Sequence, residues 1–309
     1  MRFAVMAAGG VGGYFGGRLA AAGHEVHFIA RGGHLQALRT NGLTLESPVG
    51  DLHLPDISVT DDPAAIGPVD CVLFAVKLWD TETAAALCRP LLGPDTFVVP
   101  LQNGVESIER VAGVLGAERV LGGIAYIPAV IDRPGVIRHG GKFAGIAFGE
   151  ADNRQSDRAQ ALLAACGDGG FDARIPDDIH VALWEKFVLL VAMSSWTAVT
   201  RGPIGPLRED ADIRPMIAAT LAETAAVGRA RGIALPADMA DRQLKVIDNV
   251  PFDMKASMLH DLERGNRLEL PWLAGAVARM GAAAGVATPV IATLYGALKP
   301  FADGAPAAG

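Results

Sequence analysis

Lys186 lies in the run Leu183-Trp184-Glu185-Lys186-Phe187-Val188-Leu189-Leu190, and its neighbours three and four positions away on a helix are Leu183, Ala182, Leu189 and Leu190. A cation on an apolar stripe needs a reason. One reason is acid chemistry, because burial lowers a lysine pKa toward the range in which an ammonium can give a proton to an alkoxide. The other is packing of the four-carbon stem with the ammonium reaching water, and the motif alone accommodates both. A second pair, Ser257 and Glu269, stands in KASMLHDLERGNRLEL. Ser257 can bond a substrate oxygen or a carbonyl of its own helix, and Glu269 can line a cleft or cap the helix that begins after Pro271.

The stretch from Arg2 to Arg31, RFAVMAAGGVGGYFGGRLAAAGHEVHFIAR, carries a different chemistry. An apolar run, Phe3 to Met6, meets a glycine-dense turn that opens a small-residue helix over Val11 to Ala22, and His24 to Ala30 reads as a second strand. Such a βαβ unit aims unpaired backbone N–H groups at one point, where a pyrophosphate would sit. The pattern is Ala7-x-Gly9-x-x-Gly12, so the first glycine of a dinucleotide fingerprint is replaced. Gly9 still lets backbone approach phosphate, and Gly12 still lets helix approach strand. At the end of the second strand an NAD site would offer a carboxylate, whereas Arg31 suits a 2′-phosphate, which favours NADP. Lys77 follows the apolar strand Val69 to Val76, and Asn103 follows the strand Phe97 to Leu101. In an open α/β sheet both strand ends face a ligand, although Asn103-Gly104 also suits a plain turn.

These residues need a scaffold, and the chain supplies two kinds. Up to about residue 175 strands alternate with helices, at His34 to Thr40, Asp80 to Leu92, Glu106 to Leu115 and Ser156 to Cys166. Leu43 to Ser47 and Leu52 to Val59 form a hairpin-like excursion, Val120 to Phe148 an antiparallel extension of the sheet, and a short strand lies near Phe171 to Arg174. From Pro176 onward helical patterns take over, first from an Asp178 cap to about Val199 and then over Asp212 to Arg231, Ala237 to Asn249, Asp253 to Arg264, Trp272 to Ala284 and Pro289 to Phe301. The expected architecture is therefore α/β, an N-terminal Rossmann-type doubly wound sheet over 1–175 with an all-helical C-terminal domain over 176–309. The tail Ala302 to Gly309 is expected to be disordered.

Composition narrows the function. Half of the 309 residues are hydrophobic, yet no uninterrupted apolar run reaches the roughly 18 to 20 residues of a membrane helix, so a soluble cytoplasmic protein is expected. A net charge of −7 offers no basic field for nucleic acid. Cys71, Cys88 and Cys166 lie far apart and read as buried thiols, and the scattered histidines lack metal-site spacing, so no metal is expected.

The AAGGVG turn, Arg31, Lys77, Gln102-Asn103-Gly104, Leu183-Trp184-x-Lys186 and the Ser257-Met258-Leu259-x-Asp261 to Glu269 segment occur together in an order and spacing that resemble the ketopantoate reductase (2-dehydropantoate 2-reductase) family across nearly the whole chain. The resemblance implies NADPH-dependent reduction of 2-dehydropantoate to pantoate, as in pantothenate biosynthesis, with the site in a cleft between two domains. It implies Lys186 as proton donor, Glu269 as a second catalytic residue lining the cofactor and substrate cleft, and a cofactor site of Ala7, Ala8, Gly9, Gly10, Val11, Gly12, Arg31, Lys77, Asn103 and Ala129. It implies Asn103, Ser194 and Ser257 as substrate-binding, and leaves room for a homodimer. The family's substrate-binding asparagines fall on Leu190, Ser194 and Ile204, so only Ser194 keeps hydrogen-bonding ability. A different, more apolar 2-oxo acid is one alternative, and a non-catalytic NADP-binding sensor is another.

Overall fold

A computed structural model describes residues 1–304 and divides the chain into two compact units, Met1–Ile179 and His180–Gly309. Unit 1 runs β1 (Arg2–Met6), α1 (Gly10–Ala21), β2 (Glu25–Ile29), α2 (Gly32–Asn41), β3 (Leu43–Glu46), β4 (Leu52–Leu54), β5 (Ser58–Thr60), β6 (Val69–Phe74), α3 (Thr81–Leu87), β7 (Leu92–Pro100) and α4 (Ser107–Leu115). It closes with β8 (Leu121–Tyr126), β9 (Ala129–Arg133), β10 (Val136–His139), β11 (Gly145–Glu150), α5 (Asp157–Asp168) and β12 (Asp172–Arg174). The main sheet is parallel in the order β5-β2-β1-β6-β7, a Rossmann-like topology. β1 is central and buried along Phe3, Ala4, Val5 and Met6, which is why its sequence is apolar on both faces. From β1 the chain winds first toward β2 and later toward β6, so the strand order reverses beside the glycine turn.

Three expectations for this unit are corrected. The second arm of the excursion is two strands: Pro55 follows β4, which pairs with β3, and β5 instead extends the main sheet beside β2. The helix expected to reach Leu92 stops at Leu87, because Pro90 has no N–H to continue it and Arg89–Leu91 form a 3₁₀ turn. The segment 120–148 does not extend the main sheet. β9 and β10 join β3 and β4, while β8 and β11 join β12, and contact with the β7 ladder is a single bridge, Val98 to Val120. β8 packs across the end of β7 instead, where a Cβ at Gly123 would collide with the Pro100 carbonyl.

Unit 2 is mostly helical: α6 (Ile179–Thr200), α7 (Ile204–Glu209), α8 (Ile213–Ala230), α9 (Met239–Asn249), α10 (Ser257–Glu263), α11 (Ala274–Ala284) and α12 (Pro289–Leu298). The first N–H of α6, at Ile179, donates to Asn153 Oδ1 at 3.0 Å. α6 is apolar all round and passes a membrane-helix test by length and composition, with mean hydropathy 1.3, but 67% of that window is buried inside the fold, as a core helix requires. α10 starts at Ser257 and not at Asp253, because the preceding backbone is committed elsewhere. The Phe252 and Met254 carbonyls accept from Gly205 N (2.9 Å) and Ile204 N (3.0 Å) at the start of α7, a helix too short for its periodicity to show. Both Glu223 oxygens accept at 3.0 Å from Val290 N and Ile291 N, placing a carboxylate on the first turn of α12. Of the C-terminal tail, Ala302 accepts from Leu268 N at 2.9 Å, and residues 305–309 lie outside those described.

Candidate active site

The sheet order gathers the unit 1 residues. The Ala7 to Gly12 turn follows β1, Arg31 follows β2, Lys77 stands past the end of β6 and Asn103 past the end of β7, all at the carboxyl edge of one parallel sheet. At the turn, Gly13 N donates to the Gly9 carbonyl at 2.7 Å to begin the α1 ladder, leaving the earlier N–H groups without intrahelical acceptors. The glycines divide the work. A Cβ on Gly9 would meet nothing within 4 Å, so the space over that backbone is open to a ligand. A Cβ on Gly12 would collide with the Ala7 carbonyl and approach Val5 Cγ1 to 2.8 Å, which is the close helix-to-strand packing its place in the motif demands. Gly10 has another reason: its Cβ would strike the Ala129 carbonyl, because β9 returns over the start of α1 and brings Ala129 to the turn. The turn therefore fits a dinucleotide phosphate, with free donors on an open face.

Arg31 is exposed at the N-cap of α2, and its guanidinium makes no hydrogen bond or ion pair to any described residue. Lys77 is also exposed, with its ammonium 5.7 Å from the centre of the Trp79 ring. Asn103 is half-buried, and Gly104 beside it has φ +88°, so the turn role foreseen for this dipeptide is realised. Its neighbour Gln102 entered the sequence reading only as part of the Gln102-Asn103-Gly104 motif, with no role of its own. Gln102 is buried, and its Nε2 donates to the Val76 carbonyl (3.0 Å) and Thr81 Oγ1 (2.9 Å), tying the end of β7 to the residue before Lys77.

In unit 2, Lys186 is partly exposed on α6, yet burial dominates its chemistry and lowers its pKa from 10.5 to about 8, while the Glu269 carboxylate opposes the shift. The fold thus brings together two residues 83 positions apart in the chain. Glu269 is 8% exposed and precedes the 3₁₀ turn Leu270–Trp272, and its carboxylate does not cap that turn. Ser257 is exposed at the first position of α10, and its hydroxyl has no partner among the described residues. Ser194 is fully buried, and its Oγ also lacks a partner. It differs there from Thr197 and Thr200 on the same helix, whose hydroxyls bond the carbonyls of Met193 and Trp196 at 2.7 Å. Leu190 is half-buried and Ile204 fully buried. Among the described residues no cluster of His, Cys, Asp or Glu could hold a metal ion.

A glycine turn on a Rossmann-like sheet, followed by a helical unit with a lysine beside a carboxylate, has the parts that a dinucleotide-dependent oxidoreductase needs. The comparisons narrow the class. Residues 3–153 match the family model for ketopantoate reductase PanE/ApbA, and residues 178–302 match that for ketopantoate reductase PanE/ApbA C terminal. The 2-dehydropantoate 2-reductase of Mesorhizobium japonicum is 31% identical, with 94% of each chain covered. The crystal structure of 2-dehydropantoate 2-reductase from Geobacter metallireducens superposes with TM-score 0.91 at 31% identity, covering 97% of this chain and 99% of that one. D-mandelate dehydrogenase, solved with NADH and anilino(oxo)acetate, has the same fold, with TM-score 0.89 at 21% identity over 98% of both chains. The protein belongs to the ketopantoate reductase family, oxidoreductases that act on 2-oxo acids with a nicotinamide dinucleotide.

Proposed function

We propose that this protein reduces 2-dehydropantoate to pantoate with NADPH, and the observation that carries the proposal is Lys186, an ammonium lowered to about pKa 8 beside Glu269. When bound, the cofactor supplies the hydride that adds to the keto carbon. Lys186 gives its proton to the oxygen that becomes the hydroxyl. A donor with a pKa near 8 suits this, because an ordinary lysine near 10.5 releases its proton less readily. Glu269 keeps the ammonium charged against the pull of burial. Asn103 offers a donor and an acceptor to cofactor or substrate, Ser257 presents an unengaged hydroxyl, and Ser194 holds a hydroxyl that a bound substrate could satisfy. The glycine turn with Ala129 holds the pyrophosphate, Lys77 attracts its charge, and Arg31 grips the 2′-phosphate. Three buried, unpaired thiols support a reducing compartment such as the cytoplasm, with Cys88 and Cys166 pushed up to about 12 by burial.

A second reading has its own observation. Leu190 and Ile204 occupy places where the family pattern has asparagine, which favours a 2-oxo acid with a more apolar side chain, and a fold-mate that binds anilino(oxo)acetate is consistent with such a ligand. Assaying a panel of 2-oxo acids with NADPH and NADH separates the two. If 2-dehydropantoate is the poorer substrate, Leu190→Asn should raise its kcat/KM by roughly 5- to 100-fold through the recovered polar contact. Efficient native turnover that falls in the variant would mean the pocket is built around leucine. No turnover across the panel would leave a dinucleotide sensor, against which the Lys186–Glu269 pairing argues.

A further inference from the structure

His34 sits on the third residue of α2, one turn past Arg31, and its imidazole touches two other segments. Nε2 lies 2.9 Å from the Ala8 carbonyl, and Nδ1 lies 3.1 Å from Gly135 N in the turn between β9 and β10. The Gly135 N–H can only donate, so Nδ1 is bare and Nε2 carries the proton it gives to Ala8. Burial favours this neutral form by lowering the imidazole pKa from 6.5. The Gly135 carbonyl accepts from Thr44 N at 3.0 Å, so the far anchor is itself fixed.

The near anchor is one residue of the glycine turn. Ala8 N donates to the Ile29 carbonyl at 2.8 Å, so with His34 on its carbonyl both backbone groups of Ala8 are held. The Ala8–Gly9 peptide is trans, and in a trans peptide the C=O and the following N–H point in opposite directions. Holding the Ala8 carbonyl toward His34 therefore turns the Gly9 N–H away from α2, at the residue whose Cβ direction is open for 4 Å.

We propose that His34 is a positioning residue for the dinucleotide site, fixing the Gly9 N–H toward bound pyrophosphate and setting cofactor affinity without touching the cofactor. This rests on the dinucleotide reading above. Because pyrophosphate is common to both nicotinamide dinucleotides, loss of His34 weakens NADPH and NADH alike.

The test is direct titration of NADPH and NADH into the wild type and the His34→Phe, His34→Ala and His34→Gln variants, with kcat at saturating cofactor. Phenylalanine keeps the ring volume without the hydrogen bonds, and glutamine restores one donor and one acceptor on a side chain of similar reach. The Phe and Ala variants should raise Kd for both dinucleotides about 5- to 30-fold, the worth of one or two aligned hydrogen bonds, with kcat changed less than about twofold. The Gln variant should return to within about threefold of wild type. Unchanged affinity in the Phe variant, or equal weakness of Phe and Gln, overturns the role. Wild-type protein that binds neither dinucleotide removes the cofactor reading and this proposal with it, whereas normal wild-type binding with unaffected variants overturns His34 alone.

Discussion

Lys186→Ala is expected to lower kcat by about 10² to 10⁴ while leaving NADPH affinity within about twofold, because it would remove the proposed general acid and nothing from the glycine turn. Lys186→Arg should remain as slow, since a guanidinium keeps the charge but does not release a proton near neutral pH. The pH profile adds an independent reading. With the ammonium at about pKa 8, kcat for reduction should fall as pH rises through 8, and the reverse oxidation, which needs the free amine, should gain over the same range. Stability should move the other way. The folded pKa, about 8, lies below the free value of 10.5, so between them the unfolded chain binds more protons and stability rises with pH. The cost of holding the charged form is complete below pH 8, with a ceiling on the order of 3 kcal/mol that the partial exposure of Lys186 reduces. Single-turnover kinetics and thermal melts across pH 6 to 10.5 check both halves, and an alanine variant with native kcat would leave Lys186 a packing residue.

Arg31→Ala should raise KM for NADPH by roughly 10- to 100-fold and change KM for NADH by less than about twofold, since a charge-assisted pair to the 2′-phosphate is worth about 1.5 to 3 kcal/mol. The geometry makes this a clean substitution, because the Arg31 side chain has no described partner whose loss could disturb α2. Steady-state kinetics with both cofactors decides it. Equal effects on the two, or a native preference for NADH, would remove the NADP assignment. Together with His34 this predicts two separable signatures: the Arg31 variant should discriminate between the cofactors and the His34 variants should affect both.

What the sequence made legible was local. The strand-turn-helix at Ala7 to Gly12 is written in consecutive residues, and the face of Lys186 in residues three and four apart, so periodicity and spacing expose both. What it hid depends on partners far along the chain. His34 bonds residues 26 and 101 positions away, and its sequence context, Gly-Gly-His-Leu, has no mark of either. Gln102 looked like part of a turn because the Val76 carbonyl it holds becomes adjacent only when β6 and β7 pair. β5 was read with β4 for the same reason: three residues, Ser58–Thr60, carry too little pattern to say which sheet they join. The proximity of Glu269 to Lys186 was not legible at all: the resemblance placed Glu269 in the cleft, and nothing in the spacing of two residues 83 positions apart set it beside the lysine.

The crowding around α1 also governs the order of events in folding. Five of its twelve residues are glycine, at positions 10, 12, 13, 16 and 17, which costs about 5 kcal/mol of intrinsic helix propensity against alanine. Such a segment does not hold a helix by itself. It becomes helical when Val5, Phe28, Leu43, Leu45 and Ile137 are present to fill the spaces its missing side chains leave. The amides of α1 should therefore exchange with solvent in the same cooperative step as those of β1 and β2 and show no protection before it, which would make the Ala7 to Gly12 turn form together with the sheet and not ahead of it.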